Sequence, residues 1–236
     1  MSAGGALTAL ITTGMKAALD ELGPAFERQR GCALHVTHGP SGALAKRVAG
    51  GEVVDLLIVA GGIDDLVARG VVAAASRRDI AAVRIGVAVR QGAVRPDIGT
   101  AEALRRALIA AKSVAYVDPA AGGASGLPIA RMLERLGILA AVNAKAKLAR
   151  GGTADMVSAI VARGDAEIGI QQMSEIMAVA GVDLVGLLPE ELQTVTTYTA
   201  GIPVNAKEET IASALIDFLA TPQAAIVYKA KGLEPA

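Results

Sequence analysis

Val36–Gly51 reads VTHGPSGALAKRVAGG, an alternating strand pattern that runs into Gly39-Pro40-Ser41-Gly42 and turns at once into helical spacing. A hydroxyl between two glycines at a helix start lies among backbone N–H groups that have no partner inside the helix. The partial positive charge there suits an anion. Ser41 is therefore either a cap that satisfies only its own helix or a donor to something bound.

The same design of strand, small or hydroxyl residues, then helix recurs in ITTGMK with Thr12 and Thr13, DPAAGGASG with Ala124 and Ser125, and ARGGTADM with Thr153 and Ala154. In open α/β sheets ligands sit beyond the carboxyl ends of the strands, where such loops gather. Small residues let the backbone approach a ligand closely. Taken singly each loop reads as a cap; four in one chain point to a shared anion pocket.

Working outward, short β-rich runs alternate with helical ones. ALTALIT (Ala6–Thr12), CALHVTH (Cys32–His38) and the nearly continuous apolar VVDLLIVA (Val53–Ala60) read as strands. GMKAALDELGPAFERQRG reads as a helix that Pro24 should kink. VRIGVAVR (Val83–Arg90), SVAYVD, AKAKLA, AEIGIQQ, VDLVGLL and TVTTYTAGI follow as strands, with helices between them and two amphipathic helices at the end. Thr100 is placed to cap TAEALRRALIAA. Such alternation predicts parallel α/β sheets.

Composition narrows the function. Lys plus Arg and Asp plus Glu balance at 23 each, and the chain has no Trp, two Phe and three Tyr. Neither the basic surface nor the stacking platform of a nucleic-acid binder is expected. No run reaches the ~20 apolar residues a membrane-spanning helix needs, so no membrane insertion is expected. Cys32 is the single cysteine, which excludes an intrachain disulfide; it reads as a buried, inert thiol. The first residues lack a basic segment ahead of their apolar stretch. The reading is cytoplasmic if Met1 is the native start, periplasmic if a signal peptide was removed.

Nucleotide-phosphate, dinucleotide and hydrolase signatures are absent. His35 and His38 fall on opposite faces of one strand and make a poor metal pair, so neither a metal nor a cofactor is expected. His38 directly precedes the serine loop, where it either makes a structural hydrogen bond or moves a proton. Asp118 either holds the turn before Pro119 or acts as a base. Arg150 is a carboxylate clamp or a solvated charge. Gln171 and Gln172 close an apolar strand, a position typical of a ligand-facing edge.

In their order these segments resemble the molybdate-binding family of importer-associated solute-binding proteins. HGPSGALAKRVAGGEVVDLLIVAG is similar to the family's strand, serine loop, helix, G-x-x-x-D and strand. VAYVDPAAGGASGLPIARMLERLGI resembles its Asp-Pro turn, small-residue loop and helix, and ALIDFLATPQAAIVYKAKGLEP its closing helices. The resemblance covers roughly Leu7–Pro235. It implies a two-lobed class II fold, each lobe a mainly parallel sheet flanked by helices, with residues 1–82 plus 198–236 in one lobe and 83–197 in the other. A small anion would sit between closing lobes. Its shell would include Thr12 or Thr13, Ser41, Ala124 or Ser125, and Thr153 or Ala154. An importer permease would be the partner if the protein is exported.

Gln172 falls where that family usually has tyrosine in MVSAIVARGDAEIGIQQMSE. With Arg150 nearby, this favours an organic di- or tricarboxylate over a tetrahedral oxyanion. HGPSGAL and VAGGIDDL are also similar to an aconitate-isomerase branch of the same architecture. That likeness implies a second reading, a cofactor-free isomerase of an unsaturated polycarboxylate, with His38 and Asp118 as bases and Arg150 and Ser41 holding carboxylates.

Overall fold

The computed structural model describes residues 5–150 and 156–236. They form two compact units, Met1–Ala82 with Thr196–Ala236, and Val83–Val195. In chain order the first unit supplies β1 (Ala6–Thr12), α1 (Lys16–Arg30), β2 (Ala33–Gly39), α2 (Ser41–Ala49), β3 (Leu56–Ala60), α3 (Ile63–Ala68) and β4 (Arg78–Val83). The second is built from β5 (Ile85–Arg90), α4 (Ala101–Ala110), β6 (Val114–Val117), α5 (Gly126–Arg135), α6 (Leu139–Asn143) and β7 (Ala146–Ala149). It continues with α7 (Val157–Ala162), β8 (Ile168–Gln172), α8 (Met173–Met177) and β9 (Val182–Leu187). The chain then returns to the first unit with β10 (Thr196–Gly201), α9 (Glu209–Leu219), α10 (Pro222–Ala230) and β11 (Glu234–Pro235).

The first sheet has the order β11-β4-β10-β3-β1-β2. β1 lies parallel to both β2 and β3, with Thr12 opposite Gly39 and Ile11 opposite Ile58. Leu7, Leu10, Ile11, Leu56, Leu57 and Ile58 are almost wholly enclosed. That is why β1 and β3 read as continuous apolar runs. β2 alternates exposed and half-buried residues, as an edge strand does. β10 is antiparallel to β3.

Asp55 braces the amino-terminal ends of the central strands β1 and β3. It is 5% exposed. Its carboxylate accepts from the Thr8 amide at 2.8 Å and from the Lys207 and Glu208 amides at 2.9 and 3.0 Å. The aspartate of the G-x-x-x-D pattern thus joins β1 to the segment that leads into α9. Because the chain turns around Asp55, the strand expected from Val53 begins at Leu56.

The second sheet has the order β7-β6-β8-β5-β9. β7, β6 and β8 are parallel, whereas β5 is antiparallel to its neighbours β8 and β9. Ile85, Val87, Leu104, Leu108, Val114, Ile129, Leu133, Val142 and Ile170 form its main core. Gly169 lets α7 seat on β8: a Cβ there would lie 2.8 Å from Val161 Cγ2 and 2.9 Å from Val157 Cγ1.

One expectation is corrected, and one strand was missed. VRIGVAVR is not one strand, because β4 ends at Val83 in the first sheet and β5 begins at Ile85 in the second. β4 itself was missed because Arg78 and Asp79 obscure its apolar pattern. α1 runs through Pro24 as expected; the exposed proline frees a carbonyl at Asp20, also exposed, where water can satisfy it. Thr100 does cap α4, its hydroxyl accepting from the Ala103 amide at 3.1 Å. No single helix among the described residues is long and apolar enough to cross a membrane.

Candidate functional site

Each unit gathers candidates at the carboxyl edge of its parallel strands. In the first, β1 ends at Thr12, β2 at Gly39 and β3 at Ala60. Ser41 is the first residue of α2, where its hydroxyl reaches back across the strand ends. It donates to Thr12 Oγ1 at 2.8 Å and accepts from the Ala60 amide at 3.0 Å. Both hydroxyl residues are buried, Thr12 at 4% and Ser41 at 3% exposure.

This makes a directed chain from the Ala60 N–H through Ser41 to Thr12, and each bond polarises the next. Thr12 has its own hydroxyl hydrogen left to give. Thr13 follows, half-buried, in a single 3-10 turn. Gly61 and Gly62 continue the edge at φ +71° and +82°, backbone angles that favour glycine. The Ser41 side chain is therefore a brace between strand ends, its hydroxyl bonded to Thr12 and Ala60.

His38 lies on the next rung, opposite Ile11. Its Nδ1 is 3.1 Å from the Ile11 carbonyl, which can only accept, so Nδ1 carries the hydrogen and Nε2 keeps a lone pair. Burial holds its pKa below the usual histidine value, more than offsetting the Ile11 bond, and Lys16 adds to the lowering. The ring is neutral at pH 7. His35 is exposed on the same strand.

In the second unit β6, β7 and β8 bring Asp118, Arg150 and Gln172 to one edge. Asp118 holds the turn, its Oδ1 accepting from the Ala120 amide at 2.9 Å. Arg150 Nε donates to Asp118 Oδ2 at 3.1 Å. The Ala120 bond foremost, then Arg150, holds the Asp118 carboxyl below its usual range. A carboxylate with both oxygens engaged is a weak base. Arg150 is 76% exposed, so its ion pair lies in solvent.

Ser125 precedes α5, 2% exposed and without a cap hydrogen bond to that helix. Ala124 is half-buried beside it. The loop needs glycine for close packing: a Cβ on Gly126 would come within 3.0 Å of the Val117 carbonyl and 3.1 Å of the Asp118 carbonyl. Thr153 and Ala154 lie outside the described residues.

Gln171 and Gln172 are both 2% exposed. The Gln171 carbonyl oxygen accepts from Ser158 twice, from its amide at 3.2 Å and its hydroxyl at 3.0 Å. A backbone N–H has to face the oxygen, which turns the Gln171 NH2 toward Glu175 Oε2 at 2.7 Å. Gln171 is thus a link within the unit. Glu175 and Ser158 were missed in the sequence; the visible signal was the four-residue spacing of Gln171 and Glu175 in QQMSE. Among the described residues no group of three His, Cys, Asp or Glu side chains is arranged to hold a metal ion.

Two α/β units with hydroxyl and small-residue loops at their strand ends define a class, and the chain belongs to it: the bacterial extracellular solute-binding protein family, matched over residues 7–234. It has the two-lobed class II fold of the molybdate- and sulfate-binding proteins. The chain is 38% identical over 236 residues to the aconitate isomerase of Pseudomonas sp, covering 97% of this chain and 87% of that protein. It is 24% identical over 231 residues to the molybdate-binding protein ModA of Escherichia coli (strain K12), covering 97% and 88%. Among solved structures, the Azotobacter vinelandii periplasmic molybdate-binding protein superposes with a TM-score of 0.80 at 20% identity, over 98% of this chain and 99% of that one.

Proposed function

We propose that the protein isomerises an unsaturated polycarboxylate by proton transfer, with the strand-end hydroxyls of Thr12 and Ser41 holding a carboxylate. The observation that carries this reading is the His38 ring, neutral and tethered through Nδ1 beside the Ser41–Thr12 hydroxyls, with Nε2 left to act as a base. The 38% identity to an aconitate isomerase supports it.

In the proposed step Nε2 takes a proton from the saturated carbon next to the C=C bond. The C–H electron pair forms the new C=C, and the old π pair moves onto the far carbon, stabilised by its carboxylate. That carbon then receives a proton. One proton leaves and one returns, and the oxidation state is unchanged, so the shift calls for no redox group. Asp118 serves this reading as the holder of Arg150 and of the third loop, and His38 as the base.

A second reading, capture of a small anion without chemistry, is favoured by the neutral donors of the first unit, Thr12, Ser41 and the backbone about Ala60. In that reading an importer permease is the partner. Incubation with cis- and trans-aconitate in deuterated water, followed by NMR, separates the two. Carbon-bound deuterium that depends on His38 is expected. Tight binding with no exchange leaves the capture reading.

A further inference from the structure

The last turns of α4, the end of β5 with its following loop, and the turn before β8 line a cavity of about 570 Å³. The cavity lies within the second unit, at the Ile168 end of β8, whereas Gln172 of the candidate edge closes the other end of that strand. Four residue steps along a strand separate the two by about 13 Å. Small side chains make the space: Ala107, Ala110 and Ala111 line it from α4, and Ala93 and Ala166 from the two loops. Its floor is closed by Val89 and Ile168, both buried. At its rim Val94 is 91% exposed, so apolar surface continues from the cavity out into water. A hydrocarbon body seated there removes that surface from solvent.

One charged group of the wall is uncommitted. Arg90 Nη1 lies 3.5 Å from where a Cβ on Gly164 would stand, which sets the guanidinium against the turn that lines the cavity. Arg95 pairs with Asp183 and Arg163 with Asp165, whereas the Arg90 side chain has no hydrogen-bond or ion-pair partner among the described residues. Glu167, the other charged group of the lining, is held by backbone, its Oε2 accepting from the Lys112 amide at 2.7 Å. The carbonyls of Ile109 and Ala111 at the end of α4 accept from Lys145 Nζ, so the helix end calls for no further cation.

We infer that this cavity is a second ligand site, separate from the strand-end loops, and that it takes a small amphipathic monocarboxylate. The apolar body lies along the alanines of α4 and under Val94, and the carboxylate meets Arg90, whose planar fork suits two parallel hydrogen bonds. One free cation in the wall calls for one anionic head, and Glu167 repels a second. The site stands whether or not the strand-end loops hold an anion.

Octanoate, octanol and octylamine carry the same body with an anionic, a neutral and a cationic head. Each is titrated into the full chain with its Val, Leu and Ile methyl groups 13C-labelled. Saturable shifts are expected at Val89, Val94 and Ile168, and excess trans-aconitate leaves them in place. Octanoate binds more tightly than octanol by about five- to tenfold, between the worth of an exposed ion pair and of a hydrogen bond to a charged group, and octylamine binds most weakly. In Arg90→Gln, a change at an exposed position, that preference is lost and octanoate binds as octanol does. Ala110→Leu, at an exposed helix position that accepts leucine, fills the space and abolishes binding of both. Octanoate affinity unchanged in Arg90→Gln, binding that survives Ala110→Leu, or no saturable shift at the three methyl-bearing residues overturns the inference. Octanoate shifts that vanish on adding trans-aconitate place the ligand at the strand ends and overturn it as well.

Discussion

Replacing Asp55 by alanine tests what holds the first unit together. Three backbone amides converge on this carboxylate at 2.8–3.0 Å in a site 5% exposed. Truncation leaves all three N–H groups without an acceptor, each at about 1–3 kcal/mol. Water entering the vacated space and relief of a buried charge bring the sum toward its lower end, about 3–5 kcal/mol. At roughly 2–4 °C per kcal/mol for a chain of this size, the melting temperature falls by about 6–20 °C. Asp55→Asn is intermediate, because an amide has one accepting oxygen and its NH2 faces a donor. Thermal unfolding followed by circular dichroism measures both. An Asp55→Ala midpoint within about 1 °C of the parent, or Asp55→Asn indistinguishable from it, refutes the idea that this carboxylate joins β1 to the approach of α9.

Further predictions concern the candidate site. His38→Gln lowers the rate of aconitate proton exchange by about 10²–10⁴-fold, while the thermal midpoint moves by only the few degrees expected for one hydrogen bond; unaltered exchange removes His38 as the base. Thr12→Val weakens binding of the anion that stabilises the parent by about 1.5–3 kcal/mol, the worth of a hydrogen bond to a charged group, read as a smaller ligand-induced thermal shift. Gly126→Ala crowds the Val117 and Asp118 carbonyls, so its ligand affinity falls, and an unchanged dissociation constant disproves the need for close backbone approach. The Glu175 carboxyl has its folded pKa raised from 4.5 to about 7. Between these values the unfolded chain loses the proton first, so stability falls as pH rises and levels off above about 7. Glu175→Gln should therefore match the parent near pH 4 and exceed it near pH 8, and equal curves at pH 8 would contradict the raised carboxyl.

Much of the fold was legible because burial on both sheet faces writes itself as unbroken apolar runs, as in LLIVA of β3, and because strand–loop–helix turns need glycine and hydroxyl residues at set places. β4 and β11 were not legible: Arg78 and Asp79 begin one and a Pro-ending pair forms the other, and both exist only because a neighbouring strand offers its backbone. The antiparallel placing of β5 between β8 and β9 was likewise hidden, since strand direction leaves no mark on a side-chain pattern.

The chain's own order of residues determined the strand-end loops, the positions of Ser41, Thr12 and Ser125 in them, and the absence of known phosphate and metal motifs. Only the tertiary structure decided what those groups do. Thr12 and Ser41 are 29 residues apart yet share a hydrogen bond, and Asp118 and Arg150 neutralise each other across 32. Asp55 spends its charge on amides 47 and 153 positions away. A side chain's role is set by which donors, acceptors and low-dielectric walls reach it in space, and those arrive from distant segments that no local pattern records.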